Sequence, residues 1–174
     1  MNMQPGDGAT TTQIVACAVW CCDKKNYVLK KKGRKVSQNC SRLGSKKHSC
    51  VTHALREHKN GKMTTRSKYP GVRVPKCAEP VRVDGETVMA KPDTILDGNR
   101  SVDAKFPCDS DKVKEINKGV GFGEPAIYRS ERAGRTLMKD KEDKIYREIP
   151  GIKSSTTMTP ERAEKVIHED CECN

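Results

Sequence analysis

Three polar side chains near the middle of the 174-residue chain have the types and spacing for chemistry at phosphorus. Asp103 and Lys105 are two residues apart in a β-prone run, so on a strand their side chains point to one face. A turn at Asp97-Gly98-Asn99 would fold a preceding strand back and bring Asp93 alongside them. Two carboxylates suit Mg²⁺ or Mn²⁺, which can stabilise the attacking and leaving oxygens of a phosphodiester displacement. The lysine can orient water and offset developing negative charge.

The peptide Pro92-Asp93, followed by Asp103-Ala104-Lys105, resembles the PD-(D/E)XK motif of nucleases with the restriction-endonuclease-like fold. The resemblance covers residues 91–106, and it implies an α+β fold with a four-stranded, mostly antiparallel β meander flanked by helices. It also implies a metal-dependent endonuclease with Asp93 and Asp103 as metal ligands and Lys105 as a catalytic residue. In that family a carboxylate of the first helix often joins the metal, and Glu57 is the acid available here. Glu57 could equally pair with neighbouring Lys and Arg side chains.

Within that superfamily, the small size, basic charge, cysteine content and missing signal peptide are similar to toxin domains of bacterial polymorphic toxins and type VI secretion effectors. This likeness implies a DNase that leaves its producer by a signal-peptide-independent route and acts in a competitor's cytoplasm. It also implies a cognate immunity protein, which we expect to be acidic because it must cover a basic domain. A ribonuclease toxin on the same fold is an open alternative.

The positive charge is concentrated in one part of the chain. The net charge is +11, yet residues 24–76 hold 17 Lys and Arg against a single acid. Such a segment should face a polyanion, most often nucleic acid, and we expect Lys30, Lys31 and Lys32 to contact phosphates. Arg129 and Arg132 are further candidates for a substrate groove. A membrane surface as the partner, or a solvated basic face without a partner, are the alternative interpretations. The longest apolar run, residues 14–22, is too short to span a bilayer, so we expect no membrane insertion.

Nine cysteines are an odd number, which argues against a full disulfide framework and favours scattered buried thiols, with one or two disulfides left open. A structural zinc ion would most plausibly use Cys40, His48 and Cys50. A non-enzymatic, zinc-stabilised nucleic-acid-binding module is therefore an alternative function. A nuclease built on His48, His53 and His58 around a metal is a weaker one, because no strand pair precedes these histidines.

Periodicity and turn residues predict the helices and strands that must position the acids. Residues 1–40 are expected to be a flexible, basic lead-in, although residues 14–29 could form a buried helix or strand, and 41–174 the nuclease domain. The pattern predicts a helix over 45–59 and hairpins at 81–89 and 94–106, whose four strands would form one meander. Further helices are predicted at 109–118, 126–144 and 160–169, the last capped by Thr159.

Overall fold

The computed structural model describes residues 2–25, 30–35, 39–107 and 142–174, which form a mixed α+β fold. The helices in these ranges are α1 (Thr11–Lys24), α2 (Cys40–Leu55), α3 (142–147) and α4 (Pro160–Val166). The strands are β1 (Met3–Gln4), β2 (Lys30–Lys31), β3 (Arg34–Lys35), β4 (Arg56–Lys59), β5 (Lys62–Ser67), β6 (Val72–Arg73), β7 (Glu79–Val83), β8 (Glu86–Ala90), β9 (Thr94–Leu96), β10 (Arg100–Ala104), β11 (Ser154–Met158) and β12 (Glu172–Cys173). The helix predicted at 109–118, most of that at 126–144, and both Arg129 and Arg132 lie outside the described residues.

A four-stranded mixed sheet in the order β6-β9-β10-β11 is the centre of the fold. Strand β9 runs antiparallel to β6 and β10, whereas β11 runs parallel to β10. Val102 of β10 lies opposite Thr94 on one side and Thr156 on the other. The Thr94 hydroxyl donates a 2.7 Å hydrogen bond to the Val102 carbonyl, which helps to fix this register. Nearly every residue of β9 and β10 is buried, so the two strands run through the interior.

The composition of this sheet corrects the expected meander. Both predicted hairpins form, β7 with β8 around Asp84-Gly85 and β9 with β10 around Asp97-Gly98-Asn99. However, β7 and β8 form a separate two-stranded sheet, and the other two places beside β9 and β10 belong to β6 and β11. Turn residues predict local pairing between neighbouring strands, but they carry no information about which distant strand completes the sheet.

Side-chain caps fix the starts of two helices, of which the sequence analysis predicted the second. Before α1, the Thr10 side chain accepts a hydrogen bond from the Gln13 amide and the Gln13 side chain accepts one from the Thr10 amide, which is a capping box. Helix α4 has the predicted Thr159 cap and begins at Pro160. The segment left open between helix and strand is therefore helical over most of its length.

Helix α1 lies within residues 1–40, the range expected to be a flexible lead-in, and it is a central part of the core. Its residues from Ile14 to Val19 are all buried, and they pack with α2, the central sheet and Ala163 of α4. A helix that is apolar nearly all round is stable only when other elements cover it on several sides. None of the described helices is long and apolar enough to cross a membrane.

Disulfide bonds tie α1 to the C-terminal segment and to α2, which corrects the expectation of scattered thiols. The pairs are Cys17–Cys171, Cys21–Cys173 and Cys22–Cys50. The first two connect successive turns of α1 to the C-terminal segment, and the third connects α1 to α2. Cys40 is also disulfide-bonded, whereas Cys77 is an exposed free thiol. The counting argument was misleading because, among the cysteines that the structure describes, the free one is a single exposed residue outside the disulfide framework.

A smaller apolar cluster holds α3 against the β7–β8 hairpin. Ile145, Tyr146 and Ile149 pack there with Val81 and Ala90, apart from the core around α1. This packing fixes the rotation of α3 about its axis, and so decides which of its polar side chains face the central sheet.

The disulfide between α1 and α2 should contribute strongly to stability, since it closes a loop of 28 residues in the unfolded chain. Replacing both partners, Cys22→Ala with Cys50→Ala, should lower the free energy of unfolding in urea by about 3–4 kcal/mol. Cys77→Ala, at the exposed free thiol, is the control and should leave stability unchanged. Equal stability of the two variants would contradict this role of the disulfide.

Candidate active site

Asp103 and Lys105 lie side by side at the end of β10, as their spacing predicts. The Lys105 ammonium is 3.0 Å from Asp103 Oδ2. Backbone pairing with β11 continues past the strand, since the Lys105 amide donates to the Met158 carbonyl, and this fixes where the lysine leaves the sheet. Asp103 is only 4% exposed, so the expected open polar strand face is in fact largely covered.

Asp93 reaches this pair from the start of β9, as the hairpin predicts. Its backbone amide donates to Asp103 Oδ1 at 3.1 Å, and its own Oδ2 accepts from the Ala104 amide at 2.8 Å. Each aspartate is therefore bonded to the opposite strand at the point where the β9–β10 ladder ends. Pro92, which is fully buried, precedes Asp93 and has no amide hydrogen that would need a partner here.

Helix α2 contributes a histidine to the same place. His48 Nδ1 is 3.1 Å from Asp93 Oδ2, and the imidazole packs edge-on against Phe106 with ring centroids 5.3 Å apart. Val51 on the buried side of α2 and the disulfide at Cys50 hold the helix in this position. The sequence marked His48 as a possible zinc ligand, but the structure places it beside a carboxylate.

Helix α3 contributes two further side chains that the sequence analysis did not identify. The Glu142 carboxylate forms an ion pair with the Lys105 ammonium. The hydroxyl of Tyr146, one turn later on the same helix face, lies 3.5 Å from Asp103 Oδ1. One sequence feature could have pointed to them: Glu142 and Tyr146 are four residues apart, as are the neighbouring Ile145 and Ile149, and this spacing predicts a helix with one packed face. Nothing in the sequence showed that this face meets β10.

The other predicted site residues lie elsewhere. Helix α2 ends at Leu55, so Glu57 stands on strand β4 rather than on a helix, and it is exposed. Within the described ranges, no hydrogen bond or ion pair joins Glu57 to Asp93 or Asp103. Lys30 and Lys31 form strand β2, and Lys32 is an exposed residue of the β2–β3 turn.

The cysteines do not provide the expected zinc site. Cys40 and Cys50 are both in disulfides and cannot offer a thiolate. The sulfur atoms of Cys17, Cys21 and Cys171 lie within 4.8 Å of one another, a spacing that could hold a metal ion, but these sulfurs too are disulfide-bonded. The histidines also do not converge, since His53 packs on His58 while His48 lies beside Asp93.

The pKa values of the two aspartates are shifted in opposite directions. Burial, together with the charge of Asp93, raises the pKa of Asp103 to about 7 despite the opposing charge of Lys105. Burial also acts to raise the pKa of Asp93, but the hydrogen bond and charge of His48 outweigh it and hold that pKa below its ordinary value. Near neutral pH the pair therefore carries between one and two negative charges and holds part of a proton.

The pKa values of the basic partners are shifted in favour of their charged forms. Burial acts to lower the pKa of His48 and of Lys105, but the carboxylates around them outweigh it and raise both. Burial and the neighbouring carboxylates also raise the pKa of the Tyr146 phenol, so it remains a neutral donor. The arrangement combines two carboxylates, a charged lysine and a histidine in one partly buried cluster.

This donor set fits a magnesium-type cation better than zinc. Mg²⁺ is typically held by one or two carboxylates and completes its shell with water and substrate phosphate. Asp93 and Asp103 supply those two carboxylates, and a cation between them would neutralise the repulsion that raises the pKa of Asp103.

The raised pKa of Asp103 should make stability depend on pH. Between about pH 4 and pH 7 the folded state retains a proton that the unfolded chain has released, so this group lowers the free energy of unfolding as pH rises, by up to about 1.4 kcal/mol per unit. In urea unfolding with EDTA from pH 4 to 8, Asp103→Asn should therefore gain stability relative to wild type as pH rises. The exposed Asp7→Asn is the control, and a constant difference between wild type and Asp103→Asn would contradict the prediction.

Comparison of the chain with protein-family models, curated proteins and solved structures found no match. The feature of the chain that bears on its function is the cluster of two acids, a lysine and a histidine at the end of the β9–β10 hairpin.

Proposed function

We propose that this protein is a metal-dependent nuclease that hydrolyses phosphodiester bonds of DNA. The observation that carries the proposal is the pair of half-buried Asp93 and buried Asp103 at the end of adjacent strands, with Lys105 ion-paired to the second acid. The proposal is supported by the mixed sheet, whose two inner strands lead into this cluster. The restriction-endonuclease-like core that the motif implies is part of the same proposal.

A purely structural ion pair explains the cluster less well. Lys105 pairs with both Asp103 and Glu142, but a second carboxylate, the half-buried Asp93, then lies beside Asp103 and works against the stability of the fold. A protein that needed only an ion pair would have no reason to bury a like charge next to it. Groups with strongly perturbed pKa values and specific charged partners are enriched at functional sites.

In the proposed reaction, Asp93 and Asp103 would hold Mg²⁺ or Mn²⁺, which supplies charge stabilisation to the phosphate and lowers the pKa of bound water. His48 holds the Asp93 carboxylate in a fixed orientation. Glu142 and Asp103 hold the Lys105 ammonium from two sides, so that its charge is positioned to orient water and stabilise the developing negative charge.

The zinc-stabilised binding module is disfavoured as an alternative. It needs cysteine thiolates, and Cys40 and Cys50 are both disulfide-bonded. It would also leave the cost of placing the charge of Asp93 beside the buried Asp103 without a purpose. A ribonuclease with the same site is the second candidate, and it is separated from a DNase by its preferred substrate.

We further propose that the domain acts as a toxin on the DNA of a competing bacterium, restrained in its producer by an acidic immunity protein. The support is the net charge of +11, which a negatively charged inhibitor complements. Disulfides form and persist in oxidising compartments. The proposed route therefore includes passage through such a space, where the bonds at Cys17, Cys21 and Cys22 can form.

Loss of the lysine or of the buried acid should abolish cleavage. Lys105→Ala and Asp103→Asn should each reduce Mg²⁺-dependent nicking of plasmid DNA by about 10²–10⁴-fold, because each removes charge aimed at the reacting phosphate or its cation. Glu164→Gln is the matched control, since Glu164 is exposed on α4, and it should keep wild-type activity that EDTA abolishes. Near-native nicking by Lys105→Ala, with an unchanged circular dichroism spectrum, would refute the nuclease assignment.

Replacement of His48 should weaken metal binding without destroying the site. His48→Ala removes the partner of Asp93 Oδ2, so the affinity for Mn²⁺ measured by calorimetry should fall by about 10–100-fold. His53→Ala, on the same helix but beside His58, should bind Mn²⁺ like wild type. Equal affinities for all three proteins would show that His48 does not orient Asp93.

A further inference from the structure

The β4–β5 hairpin is a ribbon with no core of its own. Every residue from Glu57 to Met63 is exposed, on both faces of the two strands. A two-stranded hairpin without a buried face is only marginally stable in water, so other contacts must stabilise its conformation. We refer to residues 56–68 as the basic ribbon.

The base and the tip of the basic ribbon are both fixed. At the base, the Arg56 guanidinium donates to the carbonyls of Val74 and Pro75, and the Ser67 hydroxyl donates to Leu55. At the tip, Asn60 and Gly61 both have positive φ, 52° and 73°, as the tightest hairpin turn requires. The ribbon is therefore a preformed arm that projects from the end of α2.

The charge of this arm is unfavourable in isolation. It carries five basic residues, Arg56, Lys59, Lys62, Arg66 and Lys68, and one acid, Glu57. Lys59 lies directly opposite Lys62 beside the turn, and like charges in that position repel. No ion pair relieves either of these two lysines within the part of the chain that the structure describes. A polyanion would supply the missing counter-charge.

A groove whose lining carries a net positive charge runs beside the ribbon to strand β6. It has a volume of about 460 Å³, and Arg66, Lys68 and Arg73 line it. Arg73 belongs to β6, where it lies opposite Ile95 of β9, two residues from Asp93. Strand geometry puts the backbones of Arg73 and Asp93 about 8 Å apart, so the basic surface reaches the edge of the acid cluster.

We propose that the basic ribbon inserts into the major groove of duplex DNA and positions the duplex over Asp93 and Asp103; this rests on the nuclease function proposed above. A two-stranded ribbon fits the B-DNA major groove, which is about 12 Å wide and 8.5 Å deep. The arm extends about 15 Å from its base, enough to reach the groove floor. The major groove of A-form RNA is too narrow and deep for such an arm, so the ribbon selects DNA over RNA.

The test is fluorescence anisotropy with the full chain in EDTA, using a short DNA duplex and an RNA duplex of the same sequence. Wild type should bind DNA at least about tenfold more tightly than RNA, with an affinity that falls steeply between about 50 and 200 mM salt. Lys59→Gln with Lys62→Gln should weaken DNA binding about tenfold and reduce the salt slope by about two.

The control is Lys153→Gln with Lys165→Gln, which removes the same charge from exposed residues outside the ribbon and groove. It should lower DNA affinity much less than the ribbon variant. Equal losses in the two variants, equal affinity for DNA and RNA, or a flat salt dependence would each overturn the ribbon proposal. Ribbon-dependent DNA binding without Mg²⁺-dependent cleavage would instead overturn the nuclease function and leave the ribbon as a binding element.

Discussion

The repulsion between Asp93 and Asp103 is the constraint to which the surrounding side chains respond. Asp103 is buried with a second carboxylate beside it, so it cannot be ionised at ordinary cost, and its pKa rises to about 7. His48 and Lys105, from α2 and from the end of β10, each pair with one of the acids. Glu142 and Tyr146 of α3 then complete the shell around Lys105 and Asp103.

Holding that cluster together requires a rigid frame, which a domain of this composition does not obtain from apolar burial alone. Only 34% of the residues are hydrophobic, and a third are charged. Disulfides to the C-terminal segment and to α2 add covalent constraint around α1. Because the Cys50 bond fixes α2 two residues from His48, the same bond that stabilises the core also limits movement of the histidine at Asp93.

The acids and the exposed basic residues lie on different elements of this structure. Asp103 is buried and Asp93 half-buried at the strand ends, whereas the lysines of the β4–β5 ribbon and Arg66 and Arg73 of its groove are exposed. In the proposed nuclease, the exposed basic surface would attract the nucleic acid from a distance, and the acids would meet a phosphate only when a cation screens them. Under that proposal, affinity and chemistry belong to different elements joined by α2 and β6.

The sequence by itself determined the local features of this protein. The spacing of Asp103 and Lys105, the Asp97-Gly98-Asn99 turn and the Thr159 cap act over a few residues, and they predicted a shared strand face, a hairpin and a helix start. Only the tertiary structure decided that β6 and β11 complete the sheet, that His48 and Glu142 join the site while Glu57 does not, and that cysteines about 150 residues apart are bonded. These contacts depend on packing between distant segments, and neither periodicity nor turn chemistry carries that information.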